Sequence, residues 1–477
     1  MIRQVLVLRR SDFSEQFPDL NKGDKPFSPA ITSRIRQLLG DYQGGLDVLP
    51  SDEWQVRLTT KPPGELPVLE QLVFSLAIPA DEVQLFRQAV EDVNNSAVEQ
   101  GKPKPVLGVG ADPSFAATDY FCPSNIDQLL FGDRNAARSL TGAGRLADRG
   151  LTGNGVNIVV IDQGFDASKV AKFGGGLANG TLEPGTTTRG HGPMIVRNIV
   201  DAAPDATFYD VPLIPDRIGD LPGFISNALD VFYLLKVLIE FLRSTSIPPW
   251  NGPWVLVNAW SIFDRSLEVP LGDYTANPHH PLNELIDQIV DDAIDIVFAA
   301  GNCGQFCPDR RCGKQDRGPD NSIFGANSHL RVVTVGAVRT DARWMGSSSQ
   351  GRGLLSRWKP DFCAPSYFRD TGDAFTGNTS GAFVGSGTGS PYVASTGSSA
   401  ACGLTAGIIG AIRSGWDQTV LSPDDLKQAL NDNARKTEGP KWNERLGHGI
   451  INVEETLSAL RAPGAAYGKR IRQDAVS

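Results

Sequence analysis

The sequence predicts an α/β protein: a doubly wound, mostly parallel sheet with helices on both faces, preceded by a small α+β domain. Three observations predict it. From Gly153 onward, continuous apolar runs alternate with helical patterns, as strands buried on both faces and their covering helices do. The run Val156-Asn157-Ile158-Val159-Val160-Ile161 stops at Asp162, and a later one over 294–299 is followed by Asn302. Polar residues just past strand ends are where chemistry is expected in such a sheet. Before Gly153 the pattern differs, and 477 residues exceed one ordinary core.

Residues 1–115 read β-α-β-β-α-β, with strands over 4–8, 54–59, 72–78 and 106–109 and helices over 30–39 and 80–93. That order fits a ferredoxin-like split. Residues 116–150, with a helix-like stretch over 133–146, read as a connecting segment rather than a core. The large domain spans 151–462, with further strands over 207–213, 255–258 and 332–338 and helices over 193–200, 223–243 and 282–292. Near its end a polar turn, Gly397-Ser398-Ser399, runs into small apolar residues through Ile412, a buried helix that a neighbour can approach closely. Residues 463–477 are a carboxyl-terminal tail.

Composition narrows the partners. Against 54 acidic residues stand 45 basic ones, a net charge of −9 that argues against a nucleic-acid surface. The apolar stretch at residues 2–10 is too short and too soon interrupted by arginine for a secretory core. The longest apolar segment, 229–242, carries Asp230, Lys236 and Glu240 and is shorter than a bilayer span. No membrane partner and a cytoplasmic location are therefore expected, with the six cysteines as reduced thiols.

A hydroxyl in the first turn of a helix faces unpaired backbone N–H groups and the positive end of the dipole, so negative charge developing beside it is stabilised. Ser399 is thereby a candidate nucleophile, although a serine in that place is more often an N-cap. Four segments then resemble the subtilisin-like serine peptidases, or subtilases, in family order. Val159-Val160-Ile161-Asp162-Gln163-Gly164 is similar to the aspartate motif, Gly190-His191-Gly192 to the histidine helix start, Phe298-Ala299-Ala300-Gly301-Asn302 to the oxyanion turn, and Gly397-Ser398-Ser399-Ala400-Ala401 to the serine segment. The order Asp, His, Ser is that of subtilisin. Departures are Ser398 where the family has Thr, Gly403 where it has Pro, and Pro193-Met194 after the histidine.

The resemblance implies a subtilisin-like fold and a serine endopeptidase acting on protein or peptide substrates. Ser399 would attack the carbonyl, His191 would take and return the proton, Asp162 would hold the imidazole, and Asn302 with the Ser399 N–H would bind the oxyanion. Substrate would pair as an extended strand beside Ala259-Trp260-Ser261. No cofactor is expected; calcium is allowed by family analogy, at no site the sequence identifies. The amino-terminal domain stands where subtilases carry a prosegment, with a permanent accessory domain as the other reading.

Rival readings stay in view. The departures motivate a catalytically silent, peptide-binding subtilase-like protein. A nucleotide-binding domain lacks any glycine-rich phosphate motif after its first strand. Ser390 lies in a superficially similar stretch but aligns out of register. Cys303, Cys307 and Cys312 read as reduced thiols, with metal or disulfide as the alternatives, and His279-His280 as a surface loop rather than a metal pair.

Overall fold

The computed structural model describes residues 1–11, 29–40, 42–50, 52, 54–118, 130–180, 182–188, 190–214, 223–371, 392–436 and 441–461. Its strands are β1 (Ile2–Arg9), β2 (Asp47–Val48), β3 (Trp54–Leu58), β4 (Gln71–Ile78), β5 (Val106–Ala111), β6 (Ser114–Ala117), β7 (Asn157–Asp162), β8 (Lys172–Asn179), β9 (Thr207–Pro212), β10 (Gly223–Phe224), β11 (Trp254–Asn258), β12 (Trp260–Ser261), β13 (Asp295–Ala299), β14 (Val333–Val338), β15 (Phe362–Pro365), β16 (Phe368–Thr371) and β17 (Tyr392–Ser395). The helices are α1 (Pro29–Leu38), α2 (Val83–Glu99), α3 (Arg134–Thr141), α4 (Gly144–Asp148), α5 (His191–Val200), α6 (Ile225–Ser244), α7 (Pro281–Asp291), α8 (Gly397–Arg413), α9 (Pro423–Asp432) and α10 (Val453–Arg461).

The large sheet runs β15-β14-β13-β11-β7-β9-β8-β3, parallel throughout except at the β3 edge. Every residue of β7 is buried. Alternation sends Ile158 and Val160 to one face, against Ile195 and Ile199 of α5 and Ile408 of α8, and Val159 and Ile161 to the other, against α6 and α7. Burying such side chains contributes about 1.5–3 kcal/mol each, which is why this run forms the centre of the sheet.

The small sheet has the order β2-β4-β1-β5, all antiparallel, with α1 and α2 on one face. Leu6 and Leu8 point to those helices, while Val5 and Val7 join the core formed with α6 and α7. The expected split unit is thus present, with one correction. The strand foreseen over 54–59 does not pair in it: β3 runs antiparallel to β8 and closes an edge of the large sheet. The two-residue β2 takes its place.

Two more expectations change. The stretch over 133–146 is two helices, broken at Gly142 with φ 73°, and Ala137 and Leu146 are core residues, so part of the supposed connecting segment packs into the large domain. Strand β8 was not foreseen because Gly174-Gly175-Gly176 lacks any strand propensity. Those glycines are required by crowding: a Cβ at Gly175 would lie 2.0 Å from the Arg57 carbonyl oxygen, and one at Gly176 1.9 Å from that of Asp210. Among the described residues, no helix is long and apolar enough to cross a membrane.

Helix α8 is tied to the sheet at its far end by Arg413, which is buried and bidentate to Asp295 at 2.6 and 2.7 Å. Replacing Arg413 by Met strands a buried carboxylate and is expected to cost about 3–5 kcal/mol of unfolding free energy in urea. Replacing Asp295 by Leu as well should recover most of that loss; a double variant as weak as the single one would contradict this account.

Candidate active site

Three of the foreseen residues sit at element ends. Asp162 closes β7 and is buried, with Oδ1 accepting from the Gln163 N–H at 2.8 Å. His191 opens α5 after Gly190, whose φ of 109° suits glycine. The Gln163 side chain accepts from the His191 N–H at 2.8 Å, pinning the helix start to the end of the strand. The imidazole Nδ1 then lies 2.8 and 2.9 Å from the two Asp162 oxygens. A carboxylate can only accept, so Nδ1 carries the hydrogen and Nε2 is the basic nitrogen.

Ser399 lies in the first turn of α8, fully buried. The turn before it is held to the Gly301-Asn302 turn twice: the Ser398 N–H donates to Asn302 Oδ1 at 3.0 Å, and the Gly301 N–H donates to Ser398 Oγ at 3.0 Å. The first bond fixes which end of the amide is which, so Asn302 Nδ2 faces into the cleft. There it donates to the carbonyl oxygen of Thr118. The hydroxyl of Ser399 is 2.5 Å from Thr118 Oγ1 and 3.5 Å from the Ala259 carbonyl oxygen.

The cleft is therefore filled by the chain itself. Strand β6 is the middle of a three-stranded sheet, antiparallel to β10 through Phe115 and Gly223 and to β12 through Ala117 with Trp260 and Ala116 with Ser261. The Thr118 N–H continues the ladder to the Ala259 carbonyl at 2.9 Å. Ala259, Trp260 and Ser261 thus line an extended segment. Sequence reasoning missed β6, Gly223 and the work of Ser398; a four-residue alternation behind Pro113 is too short a signal to read as a strand.

Residues 251–449 match the model of the subtilase family, Peptidase S8. In that stretch the chain is similar to the subtilases. No curated protein matches the chain in sequence. Among solved structures the chain is similar to fervidolysin from Fervidobacterium pennivorans, described as a keratinolytic enzyme related to subtilisin, at 15% identity and a TM-score of 0.53. The match covers 96% of this chain and spans only 61% of fervidolysin, and it shows the fold. The subtilase segment contains Asn302 and Ser399, while Asp162 and His191 precede it.

Around the subtilase motifs, other titratable groups are kept neutral. Burial pushes the Cys402 thiol up, so this residue one turn after Ser399 is a protonated thiol donating to the Asn258 carbonyl at 3.7 Å. His280 is not on a surface loop: it is buried, burial lowers its pKa to about 4, and its Nε2 donates to the Ala111 carbonyl at 3.0 Å while Nδ1 accepts from Leu282. His279 is exposed beside Glu284. The expectation of six reduced thiols fails at Cys303 and Cys312, which form a disulfide just past Asn302, and at Cys307, which is also disulfide-bonded. Nine residues apart in sequence, Cys303 and Cys312 are brought to a Cα separation of 5.8 Å by the folding-back of that loop, a closeness no spacing rule showed. Among the described residues, no group of three or more His, Cys, Asp or Glu could hold a metal ion.

Asp210 on β9, beside β7, accepts from the Gly185 and Phe165 N–H groups, yet burial raises its pKa from 3.8 to about 7, with the Asp162 charge adding to the rise. The folded chain holds a proton there that the unfolded chain releases near pH 4. Its contribution to stability is fully present below about pH 4 and lost as the pH rises to about 7. Urea unfolding at pH 5 and pH 8 should show wild type losing about 1 kcal/mol or more relative to Asp210→Asn. Equal losses would refute the assignment.

Proposed function

We propose that the chain is a serine endopeptidase that hydrolyses peptide bonds through an acyl-enzyme at Ser399. One observation carries the reading: a peptide carbonyl, that of Thr118, is bonded to Asn302 Nδ2 beside the Ser399 hydroxyl, while Asp162 fixes the His191 tautomer that a general base needs. Ser399 attacks, His191 accepts its proton and returns it to the leaving amine, and Asp162 stabilises the imidazolium. The oxyanion is taken by Asn302 and the Ser399 N–H, the latter on the positive end of a 17-residue helix. Substrates are proteins or peptides laid against Ala259, Trp260 and Ser261.

The amino-terminal domain is proposed to be an inhibitory prosegment rather than a neutral accessory. Its support is the reach of its last strand into the cleft and a polar seam behind it. Asp273 takes Arg87 at 2.5 and 2.7 Å, and Asp112 accepts from the Ser226 N–H at 2.7 Å and its hydroxyl at 2.9 Å. The Cys303–Cys312 bond fits an oxidising compartment rather than the cytoplasm.

A fluorophosphonate probe tests the activity. Wild type, incubated until the cleft clears, should take the label on Ser399, and Ser399→Ala should not. Asn302→Ala should keep the label but lose about 10²–10³ in kcat, the loss known for the corresponding donor in subtilisin itself. Folded, cleared wild type that takes no label and cuts no peptide would leave a silent peptide-binding protein instead.

A further inference from the structure

We infer that residues 115–118 are this enzyme's own first substrate, cut after Thr118, and that they record its preference: an aromatic side chain at the fourth position before the cut, a small residue at the second, and threonine at the first. This rests on the peptidase reading of the same site and names what that site selects.

The register is set from three sides. The Thr118 carbonyl is the one at Asn302 Nδ2, and Gly397, with φ 68°, has no Cβ because one would lie 2.3 Å from that oxygen. Pairing with β10 and β12 on opposite edges locks β6 in place; a slip of one residue would turn every side chain to the wrong face. The Thr118 hydroxyl donates to the Ala259 carbonyl at 2.8 Å, so the first position holds a small side chain with a polar hydrogen.

The fourth position is a built pocket. Phe115 is buried, and its ring lies 4.5 Å from that of Trp260, which is itself held edge-on by Phe298 and Phe232. The opposite wall is Gly223, where a Cβ would come within 2.7 Å of the ring. An aromatic side chain fits because that wall is bare. Ala117 is buried in the core with Trp260, so the second position has no depth for a large group, while Ala116 is only partly buried beside Phe263 and the Cys303–Cys312 bond.

In the cut, Ser399 Oγ bonds to the Thr118 carbonyl carbon as its proton passes to His191 Nε2. The carbon–nitrogen bond then breaks with that proton going to the departing amine of Asp119. Water hydrolyses the ester, leaving a Thr118 carboxylate and restoring the Ser399 hydroxyl. No other reactant is needed.

The experiment uses the full chain and quenched peptides. Intact-mass and C-terminal sequencing of wild type should find a first fragment ending at Thr118, with Ser399→Ala whole and Phe115→Ala cut about tenfold or more slowly. Processed wild type should cleave a Phe-Ala-Ala-Thr peptide after Thr, and its Ala-Ala-Ala-Thr analogue with kcat/KM about tenfold or more lower. Gly223→Val should erase that preference while still cutting the alanine peptide. A first fragment ending elsewhere, or equal kcat/KM on the two peptides, overturns the inference. If Ser399 still takes the fluorophosphonate in that case, the peptidase reading survives; if nothing is labelled or cut, both fall. Because the peptide arm uses wild type, a Phe115→Ala variant that fails to fold leaves the question decidable.

Discussion

The site depends on two helices touching backbone to backbone. Helices α5 and α8 carry His191 and Ser399 at their amino-terminal ends, and the side chains between them are nearly absent: a Cβ on Gly403 would lie 2.9 Å from the Ile195 carbonyl oxygen, and one on Gly407 2.5 Å from that of Ile199. Gly192 is under the same constraint, with the Gly164 carbonyl 2.0 Å from where its Cβ would be. A methyl group at Gly403 or Gly407 would push the helices apart and carry His191 and Ser399 with them, and one at Gly192 would push α5 away from the end of β7; for the proposed reaction a misplacement of about 1 Å costs catalysis heavily. Gly403, a departure from the family's proline, is therefore part of the contact.

The other departures also have local reasons. Ser398 uses its hydroxyl to accept from the Gly301 N–H, which a threonine hydroxyl could do as well, so the turns that carry Ser399 and Asn302 stay joined. Met194 places its sulfur to accept from the Thr396 N–H at 3.4 Å, linking α5 to the start of α8. Pro193 sits in the first turn of α5, where the missing N–H would have had no helical partner.

What could be read from the residues follows from how locally each feature is determined. The central strand was legible because β7 is apolar without interruption and ends in a carboxylate, and the ends of α5 and α8 because their glycines flank a histidine and a serine. The crossing of α5 and α8 agrees with the small residues of the latter. Features set by distant partners were not legible. The glycines of β8 are dictated by carbonyls of β3 and β9, β3 leaves its own sheet for a strand more than a hundred residues away, and β6 is a strand only because β10 and β12 flank it. His280 looked like a loop residue until the Ala111 carbonyl closed over it.

The amino-terminal part is sewn to the rest in three places: its sheet on α6 and α7, β3 along β8, and β6 between β10 and β12. Severing the backbone undoes none of these seams. Departure would require all of them to open, and it would bare a glycine-rich margin of the main sheet that β3 now covers, an unpaired ribbon able to recruit other strands. The cut proposed after Thr118 would leave two pieces that part only when all three seams open together.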